Sequence, residues 1–184
     1  MAVGRVFLWI GIHPIWARMA EYLRHVPDEA GALAPKALVV ISGHWEEPVV
    51  TIQNNPAPPL LYDYYGFPPS TYEIKFPASG APAVSARIAE LLETAGIPWK
   101  YDHERGFDHG VFIPLKVAFP KADVPIVQVS LLASMDAAAH LRVGEALVPL
   151  RDEGVLIIGR RHDLPQYAHA NGEHAPRPQW PCRE

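Results

Sequence analysis

An α/β single domain, with a mainly parallel central sheet flanked by helices, is what three features of the sequence predict. Short apolar, β-branched runs recur at residues 37–42, 126–131 and 154–158. Such runs suit strands buried on both faces of a sheet. Stretches of helical length with one apolar face separate them, and Gly, Pro and Asp punctuate the joins. Strands alternating with helices of this length are the signature of a parallel α/β layer structure.

Taken in order, residues 16–26 place apolar side chains at Trp16, Met19, Ala20 and Leu23, a helical stripe stopped by Pro27. ALVVIS (37–42) is a buried strand, and PVVTIQ (48–53) is a second. Residues 54–69 are dominated by Pro and aromatic side chains and read as a long loop of the kind that usually carries function. TYEIKF (71–76) alternates and predicts a short strand. Residues 82–94 form an amphipathic helix ended by Gly96, and 98–101 an edge strand. A short helix at 111–118, a buried strand at 126–131, a helix at 136–150 capped by Asp136 and a last strand at 154–158 complete the series.

Composition narrows the function classes. The chain has 184 residues, enough for one domain with a real core. Sixteen basic residues against twenty acidic ones give a formal charge of -4 without a basic cluster, which argues against nucleic acid and anionic membrane as partners. One cysteine, Cys182, excludes an internal disulfide or a cysteine-rich zinc site and fits a reducing cytoplasm. The apolar run at 6–12 is too short to cross a bilayer. Nine histidines stand out, because imidazole is the commonest neutral metal ligand.

Two of them sit in informative surroundings. His44, in ISGHWEEP, follows the first buried strand, and open α/β sheets bind ligands beyond the carboxyl ends of their strands. A histidine there is equally compatible with a ring satisfied by loop carbonyls. His109, in ERGFDHGVFIP, lies between Gly106 and Gly110 at the start of a helix, with Asp108 as a candidate N-cap. Glycines on both sides allow close approach of backbone to a ligand. Tyr64 and Tyr65, with Tyr62 and Phe67, are able to line an aromatic pocket or to pack under the loop. His13, His25, His103 and His140 have no comparable context.

In this order ISGHWEEP, YDYYGFPPSTYEIKFPASGAPAVSARI, RGFDHGVFIPLKVAFPKADVPIVQVSL and LRDEGVLIIG resemble the LigB-type class III extradiol dioxygenases, in particular the DOPA-dioxygenase branch. The resemblance runs from about residue 15 to 159. It implies cleavage of an aromatic diol with O₂ at one divalent metal, Fe(II) for ring cleavage and zinc as the other ion of this branch. His44 would be a metal ligand and His109 the catalytic histidine beside the diol, with Tyr64, Tyr65 and Asp108 as pocket candidates. A cytoplasmic protein is expected from the single cysteine, and self-association into a homo-oligomer is left open.

Two departures from the family pattern set the domain limits. No histidine precedes Gly4, where the family's first metal ligand would stand. Residues 160–184 are rich in Arg, His and Pro, without periodicity. One choice of codons for residues 161–170, shifted by one base, reads Gly-Met-Thr-Tyr-His-Asn, similar to the family's next segment. The expectation is an incomplete catalytic domain at 1–159 and an out-of-frame, disordered tail at 160–184. The alternative to an active enzyme is therefore an inactive fragment lacking the first ligand, the acid–base histidine and the C-terminal ligand.

Overall fold

Residues 14–29 and 35–160 are described by a computed structural model. The expected tail lies outside them except for Arg160, and so does His13.

Five strands form the main sheet in the order β4-β2-β6-β1-β7. β1 spans Ala37–Glu47, β2 Val50–Gln53, β4 Trp99–Asp102, β6 Ile126–Leu132 and β7 Val155–Arg160. β1 lies parallel to β6 and β7, and β2 parallel to β4, while β2 meets β6 antiparallel. The mainly parallel sheet thus holds, with one antiparallel contact. The expected edge strand at 98–101 is β4, at the rim of the sheet.

The period of two along β1 divides the core. Ala37 and Val39 face a cluster with Val50, Ile52, Val127 and Val129, covered by α2 (Pro82–Thr94) through Ile88, Ala89 and Leu92. Leu147 of α4 (Ala137–Leu147) and Leu150 of α5 (Pro149–Asp152) close the same side. Leu38 and Val40 face the opposite cluster, covered by Val111, Phe112 and Leu115 of α3 (His109–Ala118). The first helix, α1 (Pro14–Glu29), packs on α3. Burying both faces is why these strands read as continuous apolar runs.

Several elements differ from expectation for identifiable reasons. α1 continues through Pro27 to Glu29, since a proline in the final turn forfeits one backbone bond without ending the helix. TYEIKF does not form a strand. Residues Pro69–Glu73 are a 3-10 helix, and the alternation of Ile74 and Phe76 toward the core belongs to an extended segment without a ladder. Pro68 and Pro69 preset its first turn, and the backbone carbonyls of Thr71 and Ile74 are taken by tyrosine hydroxyls. The long loop contains a two-residue strand, β3 (Leu60–Leu61), parallel to β5 (Phe107–Asp108). The helix expected at 136–150 is split at Val148–Pro149, while its cap is as expected. Asp136 accepts hydrogen bonds from the backbone N–H groups of Ala138 and Ala139. These two bonds hold its carboxyl below the usual range. Among the described residues no helix is long and apolar enough to cross a membrane.

Candidate active site

β1 does not stop at Ser42. It continues to Glu47, but its pairing with β6 slips: Ile41 faces Val129 and the next partner pair is Glu46 with Leu131. Five residues of β1 therefore advance against two of β6. A bulge of this kind bends a strand and re-aims its side chains, and bulges concentrate beside active sites. Ser42, Gly43, His44 and Trp45 occupy it. Trp45 turns inward, buried, with the Arg105 guanidinium 4.4 Å from its ring centre. Its Nε1–H donates to Glu47 Oε1 at 3.1 Å. His44 stays half-buried.

β5 brings the second histidine to the same place. His109 is the first residue of α3, half-buried, and its ring centre lies 4.1 Å from that of His44 at an interplanar angle of 46°. The two histidines singled out by sequence, 65 positions apart in numbering, are neighbours.

Gly110 makes this approach feasible. A Cβ there would meet Ser42 Oγ at an impossible distance and lie 2.8 Å from both Asp108 Oδ1 and His44 Cδ2. The glycine admits the molecule's own bulge, a more specific use than the ligand approach expected from sequence. Gly106 does the same for the backbone carbonyl of Pro59.

Asp108 holds the N-cap position of α3 but makes no capping bond. Its side chain is fully buried. Oδ1 accepts from Ser42 Oγ at 2.8 Å, and Oδ2 accepts from Gln128 Nε2 and from Arg105 Nη2, the latter at 3.3 Å. Ser42 Oγ in turn accepts from the backbone N–H of His44 at 3.2 Å. Asp108 therefore ties β1, β6 and the turn before α3 together beneath the two rings. It presents no surface to a substrate, unlike the pocket residue expected from sequence.

The Pro- and Tyr-rich loop forms the other wall. The Tyr64 ring stands edge-on to His109 with centres 5.7 Å apart at 89°. Its hydroxyl donates to Thr71 O at 2.7 Å, and that of Tyr62 to Ile74 O at 2.6 Å, so both rings are fixed from within the loop. Burial, with the neighbouring Tyr62 adding to it, pushes the Tyr64 hydroxyl up to about 12. Tyr65, by contrast, is 92% exposed.

Between these tyrosines lies a residue not expected from sequence. Asp63 Oδ1 accepts a hydrogen bond from the backbone N–H of His109 at 2.9 Å and lies in hydrogen-bond contact with its ring Nδ1 at 2.7 Å. Burial alone would raise this carboxyl, but both hydrogen bonds and the ring's charge overcome it and bring it down to about 2. A lone Asp between two Tyr gives no periodic or motif signal. Its place against His109, next to the tyrosine that faces the same ring, emerges only when the loop closes on α3.

His44, Asp63 and His109 each offer a ligand atom, and these atoms lie within 4.8 Å of one another. Two imidazoles and a carboxylate are a donor set suited to a divalent first-row metal, so the residues present fit such an ion. The remaining described histidines stand elsewhere, His103 with its ring centre 5.6 Å from that of Tyr101. His25 faces Glu21 and Asp28 at the surface, and His140 Nε2 accepts from the backbone N–H of Leu132.

Comparison with known proteins decides the family. The family model described as the catalytic LigB subunit of aromatic ring-opening dioxygenase matches residues 12–175. The chain belongs to the LigB family. Relatives include the dioxygenase tasH of Hapsidospora irregularis, 48% identical over 80% of this chain and 45% of that protein. The 4,5-DOPA dioxygenase extradiol of Beta vulgaris is 42% identical over 76% of this chain and 52% of the relative. An uncharacterized protein from Escherichia coli K12 has a similar crystal structure, with a TM-score of 0.59 and 36% identity over 75% of this chain and 51% of that one. This LigB chain thus spans about half the length of the relatives it matches.

Proposed function

We propose that this LigB-family chain cleaves the ring of a small aromatic diol with O₂, extradiol fashion, with His44 as a metal ligand and His109 as the catalytic histidine. The observation that carries the reading is the pairing of the two rings, 4.1 Å apart, at the end of the central strand. Relatives named 4,5-DOPA dioxygenase extradiol make DOPA the first diol to try.

His44 would hold a divalent metal, Fe(II) for ring cleavage or zinc as the other candidate. When bound, the metal supplies Lewis acidity toward the diol oxygens and a common meeting point for diol and O₂. The protein's own share is to hold the diol and handle its protons. The edge-on Tyr64 ring offers an aromatic wall beside His109, and its hydroxyl, occupied by Thr71, stays out of the chemistry. His109 is placed to accept a proton from a diol hydroxyl and to return it as the ring opens, work that an imidazole performs near neutral pH. The buried Asp108 keeps the two histidines at their spacing through Ser42. In the overall change a ring carbon–carbon bond next to the diol breaks, and both atoms of O₂ enter the open-chain semialdehyde.

The test loads the full chain anaerobically with Fe(II), adds DOPA or protocatechuate, and admits air. A yellow semialdehyde is expected from the native chain. His44→Ala should abolish it, and His109→Ala should slow it by about 10²- to 10⁴-fold. A folded, iron-loaded native chain that yields no product overturns the reading in favour of an inactive fragment.

A further inference from the structure

We infer that Asp63 is the positioning residue of His109, fixing its ring as the Nδ1–H form and leaving Nε2 as the nitrogen that exchanges protons with the diol. The inference rests on the reaction proposed above for what Nε2 does, but its structural core is independent of it.

A hydrogen bond between a carboxylate and an imidazole nitrogen has one proton, and its location follows from the partners. An ionised carboxylate has acceptor sites only. Asp63 stands at the rim with a third of its side chain exposed, and a carboxyl in such a place is ionised at neutral pH and has no proton to give. The proton in the 2.7 Å contact therefore sits on His109 Nδ1. In a neutral ring this makes Nε2 the lone-pair nitrogen, since the hydrogen bond on one nitrogen sets the state of the other.

The second bond, from the His109 backbone N–H to the same Oδ1 at 2.9 Å, anchors the carboxylate to the first turn of α3 as well as to the ring. Asp63 thereby clamps side chain and main chain of one residue together, which restricts rotation of the ring about its own backbone. The clamp is also the link between loop and helix. Asp63 and Tyr64 are consecutive, so the carboxylate that orients His109 and the ring that walls it move as one piece.

Nitrogen-15 NMR of the full chain, with the His109 signals identified by their loss in His109→Gln, tests this without metal or substrate. The native ring at mildly alkaline pH is expected in the Nδ1–H form. Asp63→Ala is expected to release it toward the Nε2–H form that free imidazole side chains favour, and Asp63→Glu to restore part of the native signal. In turnover, Asp63→Ala should lower kcat about tenfold or more, with KM changed less than about threefold. A native ring in the Nε2–H form overturns the inference, and this measurement decides even if Asp63→Ala fails to fold. So does a folded Asp63→Ala whose ring remains Nδ1–H. Because the tautomer is read with no iron or diol present, failure of Asp63 to position His109 is distinct from failure of the proposed reaction.

Discussion

Two carboxylates flank the His109 turn, and their surroundings give them opposite tasks. Asp108, fully buried beneath the rings, accepts from Ser42, Gln128 and Arg105 and binds three segments of chain into a floor. Asp63, at the rim with a third of its side chain exposed, gives both of its bonds to one residue, His109. The floor carboxylate has no direction in which to act on a ligand, and its removal strands several polar groups. The rim carboxylate strands little and holds one ring, the His109 of the proposed reaction. Burial therefore separates a stability role from a functional one although the two residues have the same chemistry.

Breaking the floor should cost most. Asp108→Ala leaves Arg105 and Gln128 facing a hole, and breaking such a buried charged pair typically costs about 3–5 kcal/mol. Denaturant unfolding of the native chain and the variant checks this, and a loss as small as that of a surface substitution would show that the network is ornamental. Gly110→Ala should come next, at about 1–3 kcal/mol, because the new methyl must push Ser42, His44 or Asp108 aside. It should also part the two histidine rings, to be seen as weakened metal retention.

The rim is best probed by pH. The Asp63 carboxyl is lowered in the fold from 3.8 to about 2. The protein therefore gains stability from it above pH 3.8, and loses that gain as pH falls toward about 2. A stability difference between the native chain and Asp63→Asn that is present at neutral pH and shrinks through this acid window is expected. Tyr64 supplies the alkaline counterpart. Its hydroxyl is raised from 10.0 to about 12, so the neutral ring is favoured by folding and stability falls as pH rises through that interval. Tyr64→Phe should flatten the alkaline arm. The smallest effect belongs to Tyr65→Ala, which at 92% exposure should change stability by no more than about 0.5 kcal/mol. Unchanged turnover in that variant would also remove Tyr65 from the aromatic wall.

How much of this was legible beforehand varies by residue. The strands at 37–42, 126–131 and 154–158 announced themselves because a sheet covered on both faces demands unbroken apolar runs, and such a demand is local. Asp136 announced its cap for a similar reason: the N–H groups that it satisfies are two and three residues away. His44 and His109 were marked by the motifs around them. TYEIKF misled because its alternation is real, with Ile74 and Phe76 both buried, while the choice between strand and 3-10 turn was made by Pro68–Pro69 and by distant tyrosine hydroxyls.

By itself, then, the sequence determined the layer architecture, the two histidines and the family to which they belong, since each is written in local periodicity or in contiguous motifs. Only the tertiary structure decided that the strand bearing His44 bulges rather than ends. It alone sent Asp108 inward instead of to a pocket or a cap, and set Asp63 against His109 across 46 positions of chain. The physical reason is common to all three. A carboxylate carries the same symbol wherever it stands, and its role is settled by how many donors the folded chain brings within hydrogen-bonding distance and how much water it leaves there.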